Sequence, residues 1–297
     1  MSTPTQPLWR SMLYVPATSE RFVARAHERG ADAIKIDLED AVAPAEKPRA
    51  RGLVRDVARA VSRGGADVLV RINRPLHLAV PDIEASVWPE VDGLVLPKVD
   101  TAHFVETLCE MIGELERERG MEHGHTRLMI LIETPRGYAN VRAIAQSTPR
   151  LAALALGQED FAAEMGMAEP DGLQLLSFYQ GVQVAAREAG VMPIGYPGSI
   201  AEFTDLALFR SNVEAARRLG FDGGACIHPA QVPILNDVFT PGEAEVVRAE
   251  AMVAAYDAAM AAGDGAVAFE GKMIDVPVVA RAQRVLDIRD RIAARAR

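Results

Sequence analysis

The sequence predicts an α/β protein built as a (β/α)8 TIM barrel with a C-terminal helical extension. Three observations lead there. Short apolar runs alternate with helical stretches from residue 11 to residue 227, and eight such runs are present. Polar residues collect at the ends of those runs, as they do at the catalytic rim of a parallel barrel. No Gly-x-Gly-x-x-Gly follows the first run, which argues against an open dinucleotide-binding sheet.

Ser11–Pro16 is the first extended run, and residues 19–29 follow as a helix closed by Gly30. Residues 33–38 make the second strand, ending in Glu39-Asp40, and residues 45–61 make a helix that stops near Gly64-Gly65. Residues 67–73 and 93–99 are the third and fourth strands, and residues 101–119 have helical periodicity with charged outer positions. Arg127-Leu-Met-Ile-Leu-Ile-Glu133 is the fifth strand and Leu151-Ala-Ala-Leu-Ala-Leu-Gly157 the sixth, with a short helix at 138–146 between them. A helix at 174–189, a run at Met192–Ile194, a helix at 202–219 and a strand at 222–227 ending in His228-Pro229 complete the set.

The barrel is expected over residues 8–240 and the extension over 241–297. The extension holds an Ala-rich helix at 243–261, a flexible Ala-Gly-Asp-Gly link at 262–265 and a charged amphipathic helix running to Arg297. The apolar face of that last helix (Val278, Val279, Val285, Leu286, Ile288) packs either on its own barrel or on another subunit.

Composition narrows the class. At 297 residues and 49% hydrophobic the chain can bury a large core, and aromatics at 5% leave aliphatic side chains to fill it. The apolar runs are too short to span a bilayer, and the first residues lack a signal peptide's layout. Cys109 and Cys226 form neither a metal-ligand spacing nor a disulfide framework, so the expected compartment is the cytoplasm. A net charge of −9 argues against broad nucleic-acid or membrane-surface binding.

The fifth and sixth strands carry the sharpest signal. A strand–helix–strand unit sets its strands parallel with both carboxyl ends on one rim, so Glu133 and Asp160 project into one cleft. Oxygen ligands there suit Mg²⁺. From spacing alone, either acid is equally a cap for the helix that follows.

The strings Arg10-Ser-Met-Leu-Tyr-Val-Pro16, Asp37-Leu-Glu-Asp40-Ala-Val42, Arg71-Ile-Asn73, Leu96-Pro-Lys98, Ile132-Glu-Thr134, Gly157-Gln-Glu-Asp160 and Ile227-His-Pro-Ala-Gln231 occur in an order that resembles the citrate lyase β-subunit-like family of the HpcH/HpaI aldolase superfamily. The resemblance runs from Arg10 to about Gln283. Ala17 is a departure, since the family usually has Gly after Tyr-Val-Pro. The resemblance implies a Mg²⁺-dependent lyase that cleaves or forms a carbon–carbon bond beside a CoA thioester of the malyl, citramalyl or citryl type. It also implies a homo-oligomer, a trimer or hexamer.

Roles follow from that chemistry. Glu133 and Asp160 hold the metal, with Asp37, Glu39 and Asp40 as supporting acids around it. Arg71 stabilises the enolate, or else forms a salt bridge across the barrel mouth with those acids. Gln158 and Glu159 are expected at the substrate, where backbone amides at the start of a helix suit a carboxylate. Asp275 resembles an aspartate that reaches a neighbouring subunit's site and handles the thioester's α-proton; its ordinary alternative is to cap the last helix. His228 and Gln231 are weaker candidates. Arg21, Arg25, Lys35 and Lys98 are possible partners of CoA phosphates. Two other activities use the same residues: a thioesterase, and a citrate lyase β subunit working on a carrier-protein thioester.

Overall fold

The computed structural model describes residues 6–168, 174–263 and 265–295. Asp264, in the predicted flexible link, lies outside the described residues, as do residues 296–297. The chain forms two compact units, Met1–Asp237 and Val238–Arg297.

The first unit holds eight parallel strands: β1 (Ser11–Pro16), β2 (Ala33–Asp37), β3 (Asp67–Arg71), β4 (Gly93–Leu96), β5 (Arg127–Ile132), β6 (Leu151–Leu156), β7 (Met192–Ile194) and β8 (Gly224–Cys226). Their order is β7-β6-β5-β4-β3-β2-β1-β8, so each strand lies beside its sequence neighbour and β1 pairs with β8. One parallel bridge, Ile194 to Gly223, joins the two ends of this sheet. It is flanked by Gly195 N–H donating to Gly223 O (2.9 Å) and Asp222 N–H donating to Pro193 O (3.0 Å).

Strands covered on both faces need apolar residues at every position. Accordingly β2, β4 and β6 are buried throughout. The price of that rule falls on β2, where Lys35 and Asp37 are buried with the rest. Inside the barrel, Met12, Leu69, Met129 and Ile194 pack together beneath the carboxyl-end rim. The side chains of Ala155 and Ala225 are small, and a cavity of about 1140 Å³ opens from the rim into this space.

Four elements differ from the sequence reading. A helix at Leu76–Ser86 follows β3 although Pro81 sits inside it; an interior proline normally argues against a helix. The helix expected at 138–146 is two short turns, Pro135–Ala139 and Val141–Ala145, parted at Asn140. Asn140 Nδ2 donates to Asp100 O at 2.9 Å, which ties the break to the preceding loop. The helix expected from 202 starts at Leu206, because Asp205 caps it by accepting from Ala207 and Leu208 N–H (3.0 and 2.9 Å).

The fourth lies in the second unit, where Val267–Phe269 and Lys272–Ile274 form an antiparallel hairpin. Its two turn residues, Glu270 (φ 48°) and Gly271 (φ 74°), have the positive φ pair of a type I′ turn. This hairpin joins helices Glu243–Ala262 and Val276–Arg295, which pack around Met252, Ile274, Ala282 and Leu286. Val278, Val279 and Val285 face that cluster, so the last helix buries its apolar side against its own unit. Met273 and Val276 remain 73% and 64% exposed. No helix among the described residues is long and apolar enough to cross a membrane.

Candidate active site

The carboxyl ends of β2 to β6 bring four acids and two cations together. Asp37 ends β2, and the two-residue turn beyond it is fixed when Asp37 accepts from the Glu39 and Ala41 amides (3.0 and 3.2 Å). Arg71 ends β3 beside Asp37 in register and grips it twice: Nε to Oδ1 at 2.8 Å and Nη2 to Oδ2 at 2.7 Å. Burial alone would raise the Asp37 carboxyl, but the Arg71 hydrogen bonds outweigh it and hold the group below its usual range. Arg71 Nη1 also lies 2.8 Å from Glu39 Oε2, an ion pair without hydrogen-bond alignment.

Lys98 follows β4 with φ 50°, a left-handed conformation uncommon for a residue with a side chain. That backbone turn serves the site twice. The Lys98 amide donates to Glu133 Oε2 (2.8 Å), while its ammonium meets Glu39 Oε1 (2.8 Å) and Asp160 Oδ1 (3.2 Å). Arg71 and Lys98 therefore share Glu39 between them, and Asp40, more exposed, stands farther off at 3.7 and 4.0 Å.

Glu133 is the most perturbed acid. It is 3% exposed, and burial first, then the charges of Glu39 and Asp160, push its carboxyl up to about 8 against the pull of Lys98. Its position depends on a missing side chain. A Cβ on Gly157 would sit 2.3 Å from Glu133 Cγ and Oε1, so the carboxylate lies in space that only glycine leaves. Gly157 has φ −88°, so its role is room and not backbone freedom.

Glu133 and Asp160 fit a hard divalent cation. Lys98 meets both, Glu133 through its amide and Asp160 through its ammonium, and a cation is what favours the ionised form of the buried Glu133 carboxyl. Among the described residues no third His, Cys, Asp or Glu completes a closed ligand cage. Two protein carboxylates, with water and substrate oxygens for the rest, is the habit of Mg²⁺. Asp160 also lies in the first turn of helix Gln158–Glu164, where a carboxylate is favoured by the helix end.

Other expected residues have settled roles. The Gln158 amide sits between the Tyr179 hydroxyl (3.0 Å) and the Gly198 backbone (3.3 Å), and Glu159 accepts from the Ser199 hydroxyl. Both residues still line the cavity. His228 Nδ1 accepts from Ala230 N–H (3.2 Å) and its ring stacks on Phe203, while Gln231 closes the same cap. Ala17 is buried, and its amide donates to Asp37 O (3.3 Å).

Two of the four possible partners of CoA phosphates do not fit that role. Lys98 is committed among Glu39 and Asp160, and Lys35 is wholly buried on β2. Arg21 and Arg25 line the cavity wall, Arg25 paired with Glu28 at 3.0 Å. Tyr14 on β1 was not singled out from sequence. Arg71 and Lys35 both lie against its ring, 4.9 and 4.8 Å from the centroid. The alternation of β1 and β2 held the clue, since Tyr14 and Lys35 are register partners.

In the second unit, Asp275 precedes the last helix, and its carbonyl accepts from Val278 and Val279 N–H (3.0 Å each). Its half-buried carboxylate makes no hydrogen bond with any described residue, so it does not serve as the helix's side-chain cap.

Comparison with known proteins agrees with this arrangement. The profile of the HpcH/HpaI aldolase/citrate lyase family matches residues 10–229. The chain is 37% identical over 286 residues to a citrate lyase subunit beta of Leuconostoc mesenteroides subsp. cremoris, covering 95% of this chain and 93% of that one. It is 32% identical over 307 residues to an L-malyl-CoA/beta-methylmalyl-CoA lyase of Cereibacter sphaeroides, covering 96% of each. Among solved structures, protein CitE from Mycobacterium tuberculosis in complex with magnesium, acetoacetate and coenzyme A aligns with a TM-score of 0.72 at 27% identity, over 94% of this chain and 97% of that one. With its barrel, its acidic rim and these relatives, the chain belongs to the HpcH/HpaI aldolase/citrate lyase family, a family of lyases.

Proposed function

We propose that the protein is a Mg²⁺-dependent carbon–carbon lyase that splits a 3-hydroxyacyl-CoA thioester into an acyl-CoA and an oxo acid. The observation that carries this reading is the convergence of Glu133, Asp160 and Arg71 on one deep cavity, with Lys98 bound to both Glu133 and Asp160. The relatives named as malyl-CoA lyase and citrate lyase β subunit, and a solved relative holding magnesium with coenzyme A, support it.

In such a cleavage the hydroxyl gives its proton to water, its electron pair forms the new carbonyl bond, and the pair of the bond between the second and third carbons passes to the thioester fragment. When bound, Mg²⁺ would chelate the oxo-acid oxygens and neutralise their charge. Glu133 and Asp160 would hold it. Arg71, anchored by Asp37 and Glu39, keeps N–H groups that no described residue takes, and these donate to the developing enolate oxygen. Asp275 delivers the proton to the α-carbon, acting in a homo-oligomer, a trimer or hexamer, across a subunit contact. Its free carboxylate and its exposed apolar neighbours Met273 and Val276 support that role.

The likeness to citrate lyase subunit beta at 37% identity favours a second reading, the same chemistry on a carrier-protein thioester. One assay separates them: malyl-, citramalyl- and citryl-CoA with and without EDTA, following phenylhydrazone and free thiol together. The lyase gives an EDTA-sensitive carbonyl product, and Asp275→Asn abolishes it while Mg²⁺ still binds. Free thiol without carbonyl product identifies a thioesterase. Silence on every CoA ester, with turnover of the acylated carrier, identifies the citrate lyase subunit.

A further inference from the structure

Lys35 is the feature of the cavity that the chemistry above does not use. It has no exposed surface, and its Nζ has no hydrogen-bond partner among the described residues. A buried, unmatched amine costs stability, and such groups persist where something absent from the structure meets them. Arg71 and Lys98 are each matched by carboxylates; Lys35 forms no ion pair among the described residues. It lines the same cavity, below Asp37 on β2, and Met129, Leu131 and Ala225 are apolar members of the same lining.

The lyase reading fixes how an oxo acid lies there, and the inference rests on that reading. Its keto and carboxylate oxygens would meet the metal that Glu133 and Asp160 would hold. The thioester partner, with its long pantetheine arm, comes from the mouth. The remaining substituent of the oxo acid then faces the barrel floor. We infer that Lys35 recognises a second carboxylate on that substituent, so the oxo-acid half is an oxo diacid rather than one ending in hydrogen or methyl. Because the amine is covered, the acceptor reaches it through a rotamer change of the lysine stem or of the half-exposed Tyr14 ring.

Charge supports this. Burial first, then the charge of Arg71, brings the Lys35 amine down to about 7. The groups that face it are Tyr14 from β1, Asp37 from its own strand, Arg71 from β3, Glu133 from β5 and Cys226 after burial has pushed that thiol up to about 12. An arriving carboxylate raises the amine again, so binding at pH 8 takes up a proton.

Calorimetric titration of the Mg²⁺-saturated protein with oxaloacetate, pyruvate and glyoxylate, in two buffers of different ionisation heat, tests the assignment. The expected result is oxaloacetate binding at least about tenfold tighter than pyruvate, with proton uptake that pyruvate lacks. Lys35→Met, an apolar chain of similar length that removes a buried amine, should fold and lose both the preference and the uptake. Equal affinities in the unaltered protein, or a preference that survives Lys35→Met, overturns it. So does a borohydride-trapped adduct on Lys35, which would make the amine a nucleophile. Should the diacid preference appear without carbon–carbon cleavage, the lyase reading alone has failed.

Discussion

The two ends of the barrel handle buried charge in opposite ways. At the amino end three pairs beside the strand starts are matched: Arg10 grips Asp32 with two side-chain bonds (2.7 and 2.8 Å), Trp9 donates to Asp67 (2.7 Å), and Arg187 grips Asp222 (2.7 and 2.8 Å). Glu116 is the limiting case. It is fully buried, and Arg150 Nη1 and Nη2 (2.8 and 2.7 Å) and the amides of Gly124 and Thr126 (2.9 and 2.8 Å) satisfy both its oxygens. At the carboxyl end Glu133 keeps a raised carboxyl, Glu39 a misaligned oxygen, and Lys98 a left-handed backbone. Saturation marks the end that holds the fold, and surplus marks the end that awaits a ligand.

Breaking the saturated end should have the largest effect. Glu116→Gln leaves Arg150 buried beside a neutral amide and should cost about 3–5 kcal/mol, read from denaturant midpoints at pH 7. Burial would raise the Glu116 carboxyl, but Arg150 and the two amides hold it down at about 2. A depressed carboxyl contributes stability above its unfolded value of about 4.3, and that contribution is lost as pH falls through 2. The gap between wild type and variant should therefore close between those limits.

At the unsaturated end, Gly157→Ala introduces a methyl where Glu133 lies, at a φ that alanine accepts. It should weaken Mg²⁺ binding by roughly 10–100-fold while leaving the far-ultraviolet spectrum unchanged. The smallest effect is one of slope. Because the Glu133 carboxyl is raised to about 8, Mg²⁺ must displace a proton below that pH. Affinity should climb about tenfold per unit between pH 6 and 8 and then level off, with near one proton released per ion at pH 7. A flat profile would mean that Glu133 is already ionised without metal.

Much of the unsaturated end was legible, because strands buried on both faces write themselves as apolar runs and their polar ends stand out. Glu133 and Asp160 were found that way. The helix Leu76–Ser86 was not, since Pro81 breaks its pattern and Asp82, which accepts from the Asn73 amide and side chain (2.8 and 2.7 Å), looks like a surface acid. Lys35 was counted among four possible phosphate partners although strand alternation places it inward with Ala33 and Asp37. Lys98's reach to three carboxylates depends on its φ, which no local sequence rule announces. Gly157 appeared only as part of a string, because the contact that requires it comes from another strand.

One consequence of the strand order concerns the width of the barrel. Six ladders link consecutive strands and a seventh joins β1 to β8, and among the described residues the ring is then held shut by the Ile194–Gly223 clasp. Mechanically this is a split ring. A bulkier occupant of the bore can spread the wall at that point, beside Gly195 and Gly224, without parting any other ladder. The girth of the binding space is thus set at a seam beside β7, one strand from β6, while the ladders from β2 to β6 that carry Arg71, Lys98 and Glu133 stay paired.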